Sequence, residues 1–479
     1  MLVSLFILIP VLSGLALFAL KQPVQARGLA FASSLATLAA VVYALTLPNG
    51  NTALAVSKPW LSSINASYSL AVDGIGKITT LLTAVGFPLI YLATWSNNYT
   101  SANRYYALMA LTQAGLMGVF LSTDMLLFYV FWEVALVPAY FLCSIWGGEK
   151  RVPVTFKFFI YTFVGSLLML IGIIYVYFKT PNQSFAWSAF TQANLSNTEQ
   201  LYFFLFFFVA FAIKMPVFPF HTWQPDTYEQ APTGTTMVLS GIMVKMGLFA
   251  VVRWLLPVFP VMSAKMAPII IILCIVGIIY ASLIAIRQDD LKRLVAYSSI
   301  AHIGLMAAAL FVNNSLATSG VLVQLFNHGV NIIGLWIVLD IIEQQTGVRK
   351  MSQLGGLAQQ APMLATLLVV VALANIALPL TNGFVGEFLM FSGLFKLNVW
   401  YAVIAGVSII LAAVYTLGMI QRVFYGEPYA GIQVKDVNLT QLVALSAIIV
   451  FIVFLGVYPQ PLLDMGKAGL DAALKIANR

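Results

Sequence analysis

Four ionisable side chains stand inside long apolar runs: Glu133 in "FWEVALVPAYFL", Lys214 in "VAFAIKMPVFPFHTW", Lys245 in "GIMVKMGLFAVVR" and Glu387 in "NGFVGEFLMFSG". A charge at such depth costs about 2.5–3.5 kcal/mol on insertion scales, and none of the four is near enough to the end of its run to reach water by extending. Stability is a weak reason for such residues, because a buried ion pair seldom outperforms well-packed apolar groups. Proton exchange is a better one. Burial disfavours the charged form of a lysine and a neighbouring carboxylate favours it, so a lysine between the two can be switched by moving its partner. Lys214 with Glu133 suits that chemistry. The rival reading is structural, with Glu133 and Lys214 as a fixed ion pair and the other charges capped by free backbone. His302 in "LVAYSSIAHIGLM" and His328 in "LVQLFNHGVNIIGLW" occupy consecutive runs between Lys245 and Glu387. Imidazole both takes and gives a proton near neutral pH, so the two can form a relay, although a lone buried histidine is more often a hydrogen-bonded core residue.

The elements that position these groups must be membrane helices. Of 479 residues, 61% are hydrophobic and 8% charged, against about 25% charged in soluble domains. Apolar runs of about 20 residues, each long enough to cross a bilayer, recur along the chain. The expected fold is all-α: a polytopic membrane protein of about fourteen transmembrane helices, near 2–20, 28–47, 75–95, 104–122, 124–146, 154–178, 201–221, 232–253, 266–286, 294–312, 320–342, 362–395, 399–421 and 440–458. The first run has neither a basic flank nor a small-residue cleavage site and reads as a retained span. The tail "PLLDMGKAGLDAALKIANR" reads as a short interfacial helix, and the longest connection is expected around 179–200. Pro216 lacks an amide hydrogen and clashes with the turn before it, so the seventh helix should open just past Lys214, with His221 at its end. Backbone freed at membrane depth is tolerated only where protein buries it or a wet cavity receives it. Pro379, eight residues before Glu387, should open the twelfth span in the same way.

"VAFAIKMPVFPFHTW" and "VVALANIALPLTNGF" echo one another, five spans apart and therefore opposite in topology. Broken helices at matching positions of an inverted repeat point to a transport site. The expected division is 1–103 for helices 1–3, 104–253 and 266–421 for two inverted five-helix repeats, each with a broken helix, and 440–479 for helix 14 and the tail. Thirteen of the 24 Lys and Arg follow odd-numbered spans, which places those loops in the cytoplasm and both termini outside. The net charge of +8 therefore reflects cytoplasmic loops and no nucleic acid is expected. The two cysteines are too few for an iron–sulfur cluster, no His or Cys pair has metal-ligand spacing, and no nucleotide-binding glycine motif is present. Asp226, Glu229, Asp289 and Asp290 read as solvated loop charges.

"FWEVALVPAYFL", "KMPVFPFHTWQPDTYEQAPT", "GIMVKMGLFAVVR" and "DDLKRLVAYSSIAHIGL" together resemble the antiporter-like membrane subunits of respiratory complex I, the proton-pumping NADH–quinone oxidoreductase, and the related Mrp-type cation/proton antiporter subunits. Glu387 where other branches place lysine, Ile332 where the L-type tends to have one, and no long lateral helix after the last span all favour the M-type branch. The resemblance implies a proton-translocating subunit of an oxidoreductase complex in a bacterial inner membrane, with no redox centre in this chain. FMN, iron–sulfur clusters and quinone belong to partner subunits; L-type and N-type neighbours link the chain to a hydrophilic redox arm, and lipid surrounds it. By position, Glu133 resembles the carboxylate that tunes the pumping lysine and Lys214 that lysine. Lys245 resembles the central connecting lysine, His302 and His328 the relay, and Glu387 the exit group. Tyr228 stands where many relatives have histidine. The alternatives are an Mrp-type antiporter subunit working without redox chemistry, or a scaffold whose charges only lock helices together.

Overall fold

The computed structural model describes residues 2–429 and 431–467. Sixteen helices carry the fold: α1 Leu2–Ala19, α2 Pro23–Thr46, α3 Gly74–Ala93, α4 Ala102–Leu121, α5 Met125–Trp146, α6 Arg151–Lys179, α7 Asn197–Lys214, α8 Trp223–Gln230, α9 Thr233–Val258, α10 Pro260–Arg287, α11 Leu291–Leu310, α12 Ser315–Thr346, α13 Pro362–Asn375, α14 Asn382–Leu397, α15 Val399–Phe424 and α16 Leu439–Val457. Single-turn helices at Trp187–Phe190 and Leu357–Gln360 lie in connections. Among the described residues, 11 helices are long and apolar enough to cross a membrane. The other expected spans fall on α4 and on two interrupted segments, α7 with its continuation and α13 with α14. The expected interfacial tail is described only to Lys467, with 460–467 helical; the rest lies outside the described residues.

The ends of these helices follow ordinary capping chemistry. Ser196 and Glu199 form a reciprocal capping box at the start of α7, and the Asp290 and Asn314 side chains accept backbone amides at the starts of α11 and α12. Gly347 ends α12 at φ 67°, a left-handed conformation that glycine adopts without steric cost.

One element was not expected from the sequence. Residues 47–73, and not 179–200, form the longest connection between spans, and they hold an antiparallel hairpin, β1 Ala55–Leu61 with β2 Ala66–Ala71. The hairpin is anchored to the neighbouring helix end. Asp124, the N-cap of α5, accepts the Leu126 and Leu127 amides at 3.0 and 3.1 Å, and its other oxygen accepts the Ser67 amide at 2.9 Å.

Burial sorts the helices into a core and a rim. The apolar windows of α9 and α12 are 100% buried and those of α3 and α11 89%, whereas α1, α2 and α15 are each 33% buried and α16 28%. The rim helices turn leucine, valine and phenylalanine outward, as lipid-facing helices do. Three of these four core helices carry Lys245, His302 and His328.

Candidate functional site

The first break begins where proline chemistry places it. α7 ends at Lys214, and Val217 bonds back to the Ala212 carbonyl at 3.0 Å. The freed Ile213 carbonyl accepts the indole N–H of Trp223 at 3.0 Å. Lys214 is 1% exposed, its Nζ has no hydrogen-bond partner among the described residues, and the ammonium lies 5.5 Å from the centre of the Trp132 ring. The rival reading of a fixed Glu133–Lys214 ion pair has no direct contact behind it. The two interact through space, but no ion pair within 4.0 Å joins them among the described residues, and Glu133 leaves one buried oxygen unpartnered beside Ser166. Trp132, next to Glu133 on α5, occupies the space over the lysine. His221 lies in the break, ringed by Phe218 and Tyr280, and touches none of the other candidates.

The second half is continuous. Lys245 is fully buried and its Nζ donates to the Ser240 carbonyl at 2.6 Å and meets Nδ1 of His328 at 2.9 Å. The His328 and His302 rings are 5.5 Å apart, and Nδ1 of His302 lies 2.9 Å from Oε1 of Glu387. Four residues from four helices, α9, α12, α11 and α14, thus make one row, hydrogen-bonded at each end and joined in the middle by ring packing, where neither histidine Nε2 has a hydrogen-bond partner among the described residues. Local backbone explains the first step. α9 contains two π-helical turns, Leu239–Met243 and Val251–Leu255, on either side of the Lys245 turn. Such turns widen the helix and are frequent at functional sites, and the Ser240 carbonyl that holds Lys245 belongs to the first of them. Close packing explains the second. A Cβ on Gly329 would come within 2.9 Å of the Gly241 carbonyl, so glycine lets α12 cross α9 where His328 meets Lys245. On the other face of α9, a Cβ on Gly247 would meet the Met215 amide at 2.8 Å, which seats the Lys245 turn directly on the broken end of α7.

Sequence reasoning missed the amides around the second break. α13 stops at Asn375; Ala377 and Leu380 have φ 55° and 74°, and α14 starts at Asn382. Left-handed non-glycine residues cost about 1–2 kcal/mol each, so something must hold this turn. Asn327 donates to the Asn382 carbonyl at 2.7 Å, and Asn331 to the Asn382 side chain at 3.0 Å. Asn375 and Tyr415 both donate to Ser298, at 3.2 and 3.1 Å. His302 and Glu387 line a crevice with Ser282, Ile376, Ser408 and Tyr415. The available signal was asparagine on both sides of His328 in an otherwise apolar helix.

The loop acids are not free solvated charges. Asp226 pairs with Lys157 at 2.8 Å and Arg293 at 3.0 Å; Glu229 pairs with Arg293 at 2.9 Å and Arg349 at 3.5 Å. Asp290 reaches Arg349 at 3.4 Å, and Asp289 caps Ser352 at 2.6 Å. Two more cations are buried than expected, Lys292 against Glu343 at 2.7 Å and Arg253 against Asp73. Tyr228 is fully buried beside Trp336, its hydroxyl near the Gln224 side chain. Among the described residues no group of His, Cys, Asp and Glu is placed to hold a metal ion.

The sequence pattern of the NADH:quinone oxidoreductase/Mrp antiporter transmembrane family matches residues 122–413. This chain belongs to that family. Within it, the chain is an M-type member. It is 34% identical to the F(420)H(2) dehydrogenase subunit M of Methanosarcina mazei, over 99% of this chain and 98% of the relative. It is 35% identical to the NADH-quinone oxidoreductase subunit M of Escherichia coli K12, over 86% of this chain and 83% of the relative. A chain of respiratory complex I from Thermus thermophilus superposes with a TM-score of 0.93 at 29% identity, covering all of both chains. The Mrp complex of Dietzia sp. DQ12-45-1b shares the fold, with a TM-score of 0.88 at 20% identity over 99% of this chain and 98% of that one. The M-type family member is thus a multi-pass membrane subunit with the fold of the antiporter-like chains.

Proposed function

We propose that this chain carries protons across the membrane as the M-type subunit of an NADH–quinone oxidoreductase, driven by electron transfer in partner chains. Glu133 sets the charge state of Lys214, Lys214 hands on to Lys245, and His328, His302 and Glu387 complete the path. The observation that carries this reading is the contact series Lys245–His328–His302–Glu387, each member buried and titratable. FMN, iron–sulfur clusters and quinone sit in the partner subunits, and L-type and N-type neighbours connect the chain to them. Residues 104–253 and 266–421 act as inverted repeats, each with its own broken helix, flanked by 1–103 and 440–479 and making about fourteen spans in all. The distribution of Lys and Arg supports both termini outside, and the family resemblance supports a bacterial inner membrane.

The test is Lys214→Ala in the assembled complex, reconstituted into vesicles. Protons moved per electron should fall while electron transfer into quinone persists when the membrane is made leaky. Normal pumping by the assembled variant would remove Lys214 from the path.

The F(420)H(2) dehydrogenase relative matches nearly the full length, which favours a second reading of the electron source alone. The proton path is unchanged in that reading, but the partner arm oxidises a deazaflavin. The donor that reduces quinone in the purified complex separates the two. Exchange of sodium for protons in vesicles given no donor at all would instead support the Mrp-type alternative.

A further inference from the structure

Asp340 lies near the loop end of α12, 2% exposed, and the path above does not use it. Asn97 donates to one of its oxygens at 2.9 Å, while the other is buried beside Thr233, with no hydrogen bond within 3.5 Å among the described residues. A carboxylate kept only as a tether between helices would have both oxygens satisfied, since an unpaired buried polar atom is costly. The groups facing it come from every neighbouring element: Asn97, Tyr99, Tyr105, Thr233, Lys292 and, on its own helix, Glu343.

Two features lead away from this carboxylate. Toward the loops, Asn97 and Ile341 line an open polar cavity of about 1220 Å³, with Ser96, Gln345, Lys435 and Asp436 on its walls. Toward the core, Thr233 at the start of α9 donates to Glu343 at 3.1 Å, and Glu343 in turn pairs with Lys292 at 2.7 Å. Thr233, Thr236 and Ser240 then follow at intervals of three and four residues, so their hydroxyls share one stripe of α9. All three are buried, and Ser240 donates to the Thr236 carbonyl at 2.8 Å. The stripe ends at Lys245, whose Nζ donates to the Ser240 carbonyl. With a rise of 1.5 Å per residue the steps are about 4.5 and 6 Å, each within reach of one bridging water. A hydroxyl accepts one hydrogen bond while donating another, which is what a proton lane needs and a methyl lacks.

We propose that Asp340, beside the Lys292–Glu343 pair, is a second proton-loading site that feeds Lys245 along Thr233, Thr236 and Ser240, independently of Glu133 and Lys214. A proton from the polar cavity settles on the Asp340 oxygen beside Thr233. The carboxylic acid then releases it to the stripe, each hydroxyl or water accepting one proton as it gives up another. The neutral amine of Lys245 receives the last and becomes an ammonium. No other reactant is consumed. In this scheme the first broken helix is one of two ways to reach the row and not its only source.

The inference rests on the role given above to Lys245, so Lys245→Ala is the reference. The parent complex, Lys245→Ala, Asp340→Asn, Asp340→Glu and Thr236→Val are each reconstituted into vesicles, and protons moved per electron are compared. Thr236→Val keeps the shape and removes only the hydroxyl. Asp340→Asn and Thr236→Val should each produce at least half of the fall caused by Lys245→Ala, and Asp340→Glu should recover most of the parent value. A structural role for Asp340 would not give this pattern. If Asp340→Asn fails to assemble, Thr236→Val decides alone. Parent-like pumping by the assembled lane variants, with a clear fall in Lys245→Ala, overturns the lane and leaves the row intact. Parent-like pumping by Lys245→Ala as well defeats the row and the lane together.

Discussion

At the scale of the residue, the side chains fall into two kinds, those in contact with a titratable partner and those without one. His302 and Glu387 are in contact at 2.9 Å, both largely buried, so each is the other's main source of polar stabilisation. Removing one member leaves the other's buried polar atom unpartnered, a cost of about 1–3 kcal/mol. Glu387→Gln should therefore lower pumping by tenfold or more. The double variant with His302→Gln should be no worse than the single one, because both act through one contact. Multiplicative losses in proton flux measurements would show that the two act separately. Lys214 is the opposite case, since aromatic Trp132 and an indirect carboxylate surround it. That difference was not visible in the sequence. Glu133 and Lys214 were recognisable as charges in apolar runs, but whether two such residues touch depends on side-chain direction across a helix interface, and composition carries no information about it.

At the scale of the element, irregular helices do most of the positioning. The break after Lys214 was legible because proline acts on its own backbone, and Pro379 marked the second break for the same reason. The π turns of α9 were not legible. "LSGIM" and "VVRWL" hold no residue that forbids an ordinary helix. The hairpin at 55–71 was missed because its strands are short, β1 is exposed, and β2 is held in part by a neighbour's Asp124. Helix crossings give a sharper prediction. The Gly329–Gly241 approach sets the Lys245–His328 distance, and a side chain there must push α12 from α9. Overpacking of this kind costs about 1–3 kcal/mol. Gly329→Val should lower the temperature at which the detergent-purified complex comes apart, and reduce pumping in whatever complex survives. Gly418→Val should do neither, because nothing lies within 4 Å of the Cβ it would add.

At the scale of the whole molecule, the loop network binds the two halves together where their own helices meet. Lys157 stands on α6, Asp226 and Glu229 on α8, Arg293 on α11, and Arg349 in the loop after α12. Arg349 reaches Glu229, Asp290 and Glu343 at 3.4–3.8 Å, and its Nη1 donates to the Glu229 carbonyl at 2.8 Å. A planar guanidinium can serve several acceptors at once, which an ammonium cannot, so Arg349→Lys should behave like Arg349→Ala. Each should cost roughly 1 kcal/mol, the upper end for partly exposed pairs, with the loss shrinking in high salt as screening weakens the parent as well. The pH dependence follows from Asp226, on α8 outside the membrane spans. Burial raises the affinity of its carboxylate for a proton, but Lys157 and Arg293 outweigh burial and hold it below the usual carboxylate range. A depressed carboxylate contributes stability at every pH above its unfolded value, about 3.9, and loses it as pH falls through the folded value. The melting temperature of the complex should thus be insensitive to this group from pH 5 upward and fall below about pH 4. Asp226→Asn should start lower and lose that acid limb. An acid limb of unchanged size in the Asp226→Asn complex would assign the transition to another carboxylate and separate the two halves of the network.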